Sequence, residues 1–130
     1  MKEEAAMKVV FIGNNGDVLR KVEAALRAGR SEVSFRQEQE GQAALDSMVE
    51  DTPDVVVIHP DFEDMSLRLL LVGLRASHGN LPLIVIGAHD DEVEAVLALD
   101  HRADEYIKST ATLAEFMAWL NHVLRDKGIK

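Results

Sequence analysis

Apolar runs and helix-spaced apolar stripes alternate along this chain from one end to the other. MKVVFIG (7–13) is an apolar run that ends in glycine. Val18, Val22, Ala25 and Leu26 then recur at helical spacing, and Ala28-Gly29 carries a helix-stop signal. EVSFR (32–36) alternates like a more exposed strand. In GQAALDSMVED (41–51), Ala44, Leu45, Met48 and Val49 share one helical face. Thr52-Pro53 breaks the chain before DVVVI (54–58), a buried strand. SLRLLLVGLRAS (66–77) reads as a leucine-rich helix, and PLIVIG (82–87) as another buried strand. Asp90, Asp91 and Glu92 open the next helix, because acids complement its positive end. Its apolar positions include Val93, Val96, Leu97 and Leu99. DEYIK (104–108) is a short strand. The final helix starts near Thr112, with Glu115 at capping-box spacing and a core stripe of Leu113, Phe116, Leu120, Val123 and Leu124.

Five β–α units in succession predict a parallel sheet with helices on both faces. Strands buried on both faces read as unbroken Val/Ile/Leu runs, as the first, third and fourth do here. The expected fold is α/β and flavodoxin-like, a (βα)5 three-layer sandwich with strand order 2-1-3-4-5. The expected organisation is one domain over 1–130, with its core at about 7–125, a short leader and a short tail. In such sheets ligands and chemistry lie beyond the carboxyl ends of the strands.

Composition narrows the function classes. The net charge is −9, from 14 Lys and Arg against 23 Asp and Glu. Backbone phosphates reward clustered cations, so direct nucleic-acid binding by this domain is not expected. The absence of cysteine excludes disulfides, thiolate catalysis and cysteine zinc sites. MKEEAAMK lacks the apolar core of a signal peptide and no run reaches membrane-span length, so a cytoplasmic location with no membrane contact is expected.

The residues beyond the strands are Gly13, Asn14, Asn15 and Gly16; His59, Pro60 and Asp61; Gly87, Ala88, His89 and Asp90; and Lys108, Ser109 and Thr110. Through KVVFIGNNGDVLRKV (8–22), PDVVVIHPDFEDM (53–65), LPLIVIGAHDD (81–91) and ALDHRADEYIKSTATLAEFMAWLNHVLR (98–125), the chain resembles the receiver domain of bacterial response regulators over nearly its whole length. The resemblance implies a layout in which an acidic pair after the first strand holds Mg²⁺. Gly13 and Asn14 stand in that place. The family's phosphoacceptor aspartate falls on His59, its hydroxyl residue on Gly87, and its lysine on Ser109, with Lys108 one residue early. These six residues then form a degenerate phosphorylation pocket. Aspartyl phosphorylation needs a carboxylate nucleophile and a metal to neutralise phosphate oxygens. With neither evident, no catalytic residue, resident metal or cofactor is expected.

Other readings attach to the same residues. His59 could accept a phosphoryl group itself, or could be a polar plug hydrogen-bonded near Asn14 or Asn15. Asp61 or Asp64 could be a displaced phosphoacceptor, although loop solvation and helix capping account for both. His59, Asp61, His89 and Asp90 could together make a transition-metal site in a small ligand-binding domain. GNNG (13–16) matches neither a dinucleotide fingerprint nor a P-loop and reads as a turn, with Asp17 starting a helix.

The expected function is therefore a non-enzymatic signalling module that has lost phosphotransfer and works by contact with proteins such as a sensor kinase. It could be the N-terminal part of a transcriptional regulator. The family often pairs through its fourth helix, fifth strand and fifth helix, which makes Leu99, Tyr106 and Trp119 candidates for a homodimer patch. Trp119 could instead cover the core edge.

Overall fold

The computed structural model describes residues 6–30, 32–87 and 92–128. Among them run β1 (Met7–Ile12), α1 (Gly16–Arg27), β2 (Val33–Glu38), α2 (Gly41–Ser47), β3 (Val55–Ile58), α3 (Leu67–Ser77), β4 (Leu83–Gly87), α4 (Glu92–Asp100), β5 (Glu105–Lys108) and α5 (Leu113–Asp126). The strands form one parallel sheet in the order β2-β1-β3-β4-β5, the expected flavodoxin-like order.

Alternation along each strand splits the core into two layers. Val9, Phe11, Val55, Val57, Ile84 and Ile86 meet the apolar faces of α1 and α5. Their neighbours Val10, Ile12, Val56, Ile58, Leu83 and Val85 meet α2, α3 and α4 on the other side. Each central strand must therefore be apolar at every position, which is why those runs are unbroken.

The helix starts follow the local chemistry. Asn15 caps α1 by accepting the amides of Asp17 and Val18, and Ser66 caps α3 through the Leu69 amide. At α5, Thr112 and Glu115 exchange both bonds of a capping box. The Thr112 amide, and after it the Thr112 hydroxyl, hold the Glu115 carboxyl below its ordinary value.

Two apolar expectations fail for identifiable reasons. Val49 is 74% exposed because α2 ends at Ser47 and the chain turns away before it. Leu113 sits in the first turn of α5, where the stripe has not yet reached the sheet, and is exposed. In α4 only Ala98 is buried, while Val93, Val96 and Leu99 are exposed. Asp90 and Asp91, expected to open that helix, lie outside the described residues. Among the described residues, no helix is long and apolar enough to cross a membrane.

Candidate functional site: the carboxyl edge of the sheet

Parallel pairing puts the ends of β1, β3, β4 and β5 along one edge, and the loops beyond them carry the candidate residues. His59 follows β3 directly. Its amide donates to Ile12 O at 2.9 Å, extending the ladder by one residue. The ring is buried, at 5% exposure, and its Nδ1 lies 3.1 Å from Ile86 O. The polar-plug expectation had the ring bonding near Asn14 or Asn15. The ring instead bonds to the β4 carbonyl of Ile86.

Asp61 takes up the contact with Asn14. Its Oδ1 accepts the Asn14 amide at 2.8 Å, and the Asn14 Nδ2 lies 3.5 Å away. Its Oδ2 stands 4.0 Å from His59 Nε2. The Asn14 side chain also donates to Gln39 O, and Gln37 Nε2 donates to Gly13 O. The β1–α1 loop is thus stitched to β2 on one side and to the β3–α3 loop on the other.

Gly13 is required by two observations. Its φ is +154°, a conformation side chains rarely adopt, and a Cβ there would lie 2.8 Å from His59 O and 3.2 Å from Asp61 Oδ1. An acidic residue at this position would have to displace that backbone. Gly87 ends β4 with no side chain. Beyond it Ala88, His89 and Asp90 lie outside the described residues, so the four-residue metal expectation cannot be assembled from what is described. Among the described residues, no group of three or more His, Asp or Glu side chains is placed to hold a metal ion.

Asp64 has a structural task. Its two oxygens accept the amides of Gly41 and Gln42, both at 2.9 Å. It thereby caps α2, whose own N-cap residue Glu40 makes no side-chain cap bond. The bonds from Gln42 and then Gly41 hold the Asp64 carboxyl below its ordinary value. Met65 packs beside it so closely that a Cβ on Gly41 would stand 2.7 Å from the Met65 sulfur.

β5 runs through Lys108, which pairs in register with Gly87 and is exposed. Ser109 follows in the turn after β5 and is partly buried. Sequence reading missed the cation that reaches this loop. Lys21 on α1 donates to Ser109 O and Ala111 O, both at 2.9 Å, and lies 5.0 Å from the centre of the Phe116 ring. Its partners lie about ninety residues away and are backbone carbonyls, so no side-chain pattern signals them.

An open cleft of about 740 Å³ lies beside the edge. Its carboxylates are Glu38, Glu40, Asp61 and Glu63, with the amides of Asn14 and Gln37 between them. Such a wall presents a negative field, unfavourable to a bare anion. Of the interface candidates, Tyr106 donates its hydroxyl to Glu94 at 2.7 Å, and half-exposed Trp119 stands edge-on to His122. Tyr106 and Trp119 line one shallow depression with Lys108 and Glu115, and Leu99 is not part of that lining.

No family model matches the chain. It is 29% identical over 121 residues to the transcriptional regulatory protein PrrA of Mycobacterium tuberculosis, covering 93% of this chain and 51% of PrrA. It is 33% identical over 87 residues to the response regulator MprA of Mycolicibacterium vanbaalenii, covering 67% of this chain and 38% of MprA. The chain thus spans about half the length, or less, of these curated relatives. A receiver domain protein (CheY-like) from Methanospirillum hungatei shares its fold with a TM-score of 0.81, at 12% identity, covering 95% of this chain and 98% of that one. The relatives in sequence and the shared fold together support placing the chain among response-regulator receiver domains.

Proposed function

We propose that the chain is a receiver-like signalling module that does not use aspartyl phosphorylation and acts through protein contacts. The observation that carries this reading is at Gly13 and His59. The position expected to accept the phosphoryl group is a buried imidazole bonded to Ile86 O. The position expected to hold the metal is a glycine whose backbone leaves no room for a Cβ. Loss of one group could be repaired by a neighbour. Here the nucleophile, both members of the acid pair (Gly13 and Asn14) and the hydroxyl (Gly87) are replaced together.

The displaced-acceptor reading is weakened by what Asp61 and Asp64 already do. Each carboxylate is engaged by backbone amides, and phosphorylation would remove acceptors those amides use. Partner binding in place of phosphorylation would have to bias conformation through differential affinity. The apolar surface of α4 supports a protein as that partner, a sensor kinase or a second copy of the chain among the expected kinds. The name of PrrA suggests that the chain serves as the regulatory part of a transcriptional regulator.

Intact mass after incubation with Mg²⁺ and acetyl phosphate, beside a competent receiver, tests the reading. No adduct on this chain, with the control labelled, is expected. A stoichiometric adduct mapped to Asp61, Asp64 or His59 would overturn it.

A further inference from the structure

The arrangement of His59 between a carbonyl and a carboxylate goes beyond the loss of phosphotransfer. A carbonyl oxygen only accepts, so the Nδ1 facing Ile86 O carries the proton. In the neutral ring Nε2 is then a bare lone pair, and it faces Asp61 Oδ2 at 4.0 Å. Two electron-rich atoms face each other with no hydrogen between them. A proton added to Nε2 from solvent turns that contact into an ion pair between a buried ring and a partly exposed carboxylate, where attraction between charges is stronger than in water.

Asp61 is also the link between loops. Its other oxygen already holds the Asn14 amide. We propose that protonation of His59 at Nε2 clamps the β3–α3 loop to the β1–α1 loop through Asp61, making this edge of the sheet a proton-operated switch. This rests on the reading that the position does not accept a phosphoryl group. The switch would use the geometry of that vacated chemistry, because histidine changes charge in the physiological range.

Several other charged groups at this edge have partners of their own, while Glu40 and Glu63 line the open cleft beside Asp61. From β1 and its loop, Gly13 backs onto the His59 backbone and Cβ, and the Asn14 amide is taken by Asp61. From β4 it meets Ile86 O and then Gly87. Lys108, the register partner of Gly87, is exposed at the end of β5. Lys21 is held by Ser109 O and Ala111 O, Glu38 pairs with Arg36, and Asp17 pairs with Arg20. Among the described residues, Asp61 is the carboxylate within 4.0 Å of the ring.

Two-dimensional NMR between pH 5 and 8 tests the switch, with the His59 ring assigned by comparison with His59→Gln. Glutamine keeps a donor for Ile86 O and removes the titration. The Asn14 amide is expected to move through one transition with the same midpoint as the His59 ring, and to become independent of pH in His59→Gln. Should that variant fail to fold, Asp61→Asn carries the test: the ring still titrates and the Asn14 amide no longer follows it. A ring that does not titrate in this range, or one that titrates while Asn14 stays still, overturns the proposal. A phosphoryl adduct in the mass experiment would instead overturn the reading beneath it, so the two failures are distinct.

Discussion

Arg75 near the end of α3 and Asp104 just before β5 form a 3.1 Å ion pair at the amino edge of the sheet, opposite the candidate site. The guanidinium also donates to Arg102 O, Gly79 O and Leu81 O, and the carboxylate accepts the Leu83 amide. Arg102 itself has a φ of +71°, a left-handed conformation that turns its carbonyl toward this fork. One buried side chain thus joins α3 to the entries of β4 and β5.

Removing that fork leaves several buried acceptors without donors. Arg75→Met is expected to destabilise the fold by about 3–5 kcal/mol, the range for breaking one partner of a buried pair. Lysine cannot reach all these acceptors from one point charge, so Arg75→Lys should recover only a minor part. Urea unfolding at constant m-value measures both. A loss below about 1 kcal/mol for Arg75→Met would show that the pair is not a staple.

Rebuilding a phosphorylation pocket should also fail locally. Gly13→Ala places a Cβ 2.8 Å from His59 O in an unfavourable backbone conformation, at an expected cost of about 1–3 kcal/mol. Gly13→Asp meets the same clash before its carboxylate can be used. His59→Asp alone, or combined with Asn14→Asp and Gly13→Asp, is therefore expected to stay unlabelled by acetyl phosphate. Intact mass and thermal unfolding on the same samples check it, and stable, labelled triple variant would contradict the clash.

What could be read from the chain, and what could not, follows from where each signal lies. The strands were legible because both faces of Phe11, Val57 and Ile84 and their neighbours are buried, which forces continuous apolar runs. His59 was legible because a polar residue breaks such a run where the strand ends. Arg75 was not, because an arginine in a helix reads as a solvent-facing charge and its partners are mostly carbonyls. The same holds for Lys21. The exposure of α4 was hidden because its residues are apolar on every side, leaving no stripe to mark the core. Asp64 was placed correctly as a cap, but the helix it caps lies upstream in the chain.

The cap made by Asp64 predicts a pH dependence with a definite sign. Its carboxyl ionises at lower pH in the folded chain than in the unfolded one, chiefly through the Gln42 and Gly41 amides. The stabilisation is then complete above the unfolded carboxyl value of about 4 and fades as pH falls through the lower, folded value. Asp64→Ala should lower the Tm by a few degrees at pH 7 and at pH 5.5, with the gap to the native chain narrowing below about pH 4. Calorimetry across that range decides it. A gap that stays constant down to pH 3 would mean that the charge on Asp64 contributes nothing to the cap.

The surface of α4 predicts two opposite results from neighbouring residues. Val96 is 58% exposed and Ala98 is fully buried. Val96→Lys is expected to change stability by less than about 0.5 kcal/mol, as for other surface positions. Ala98→Lys puts an ammonium against Leu71, Val85 and their neighbours, at an expected cost of at least about 3 kcal/mol. Because exposed valine and leucine on one helix favour association, the native chain should sediment progressively faster as its concentration rises, and Val93→Lys/Val96→Lys should not. Sedimentation that is independent of concentration for the native chain would leave α4 to a partner other than a second copy. If Val96→Lys were instead as damaging as Ala98→Lys, α4 would have to pack against the sheet through the face that contains Val96.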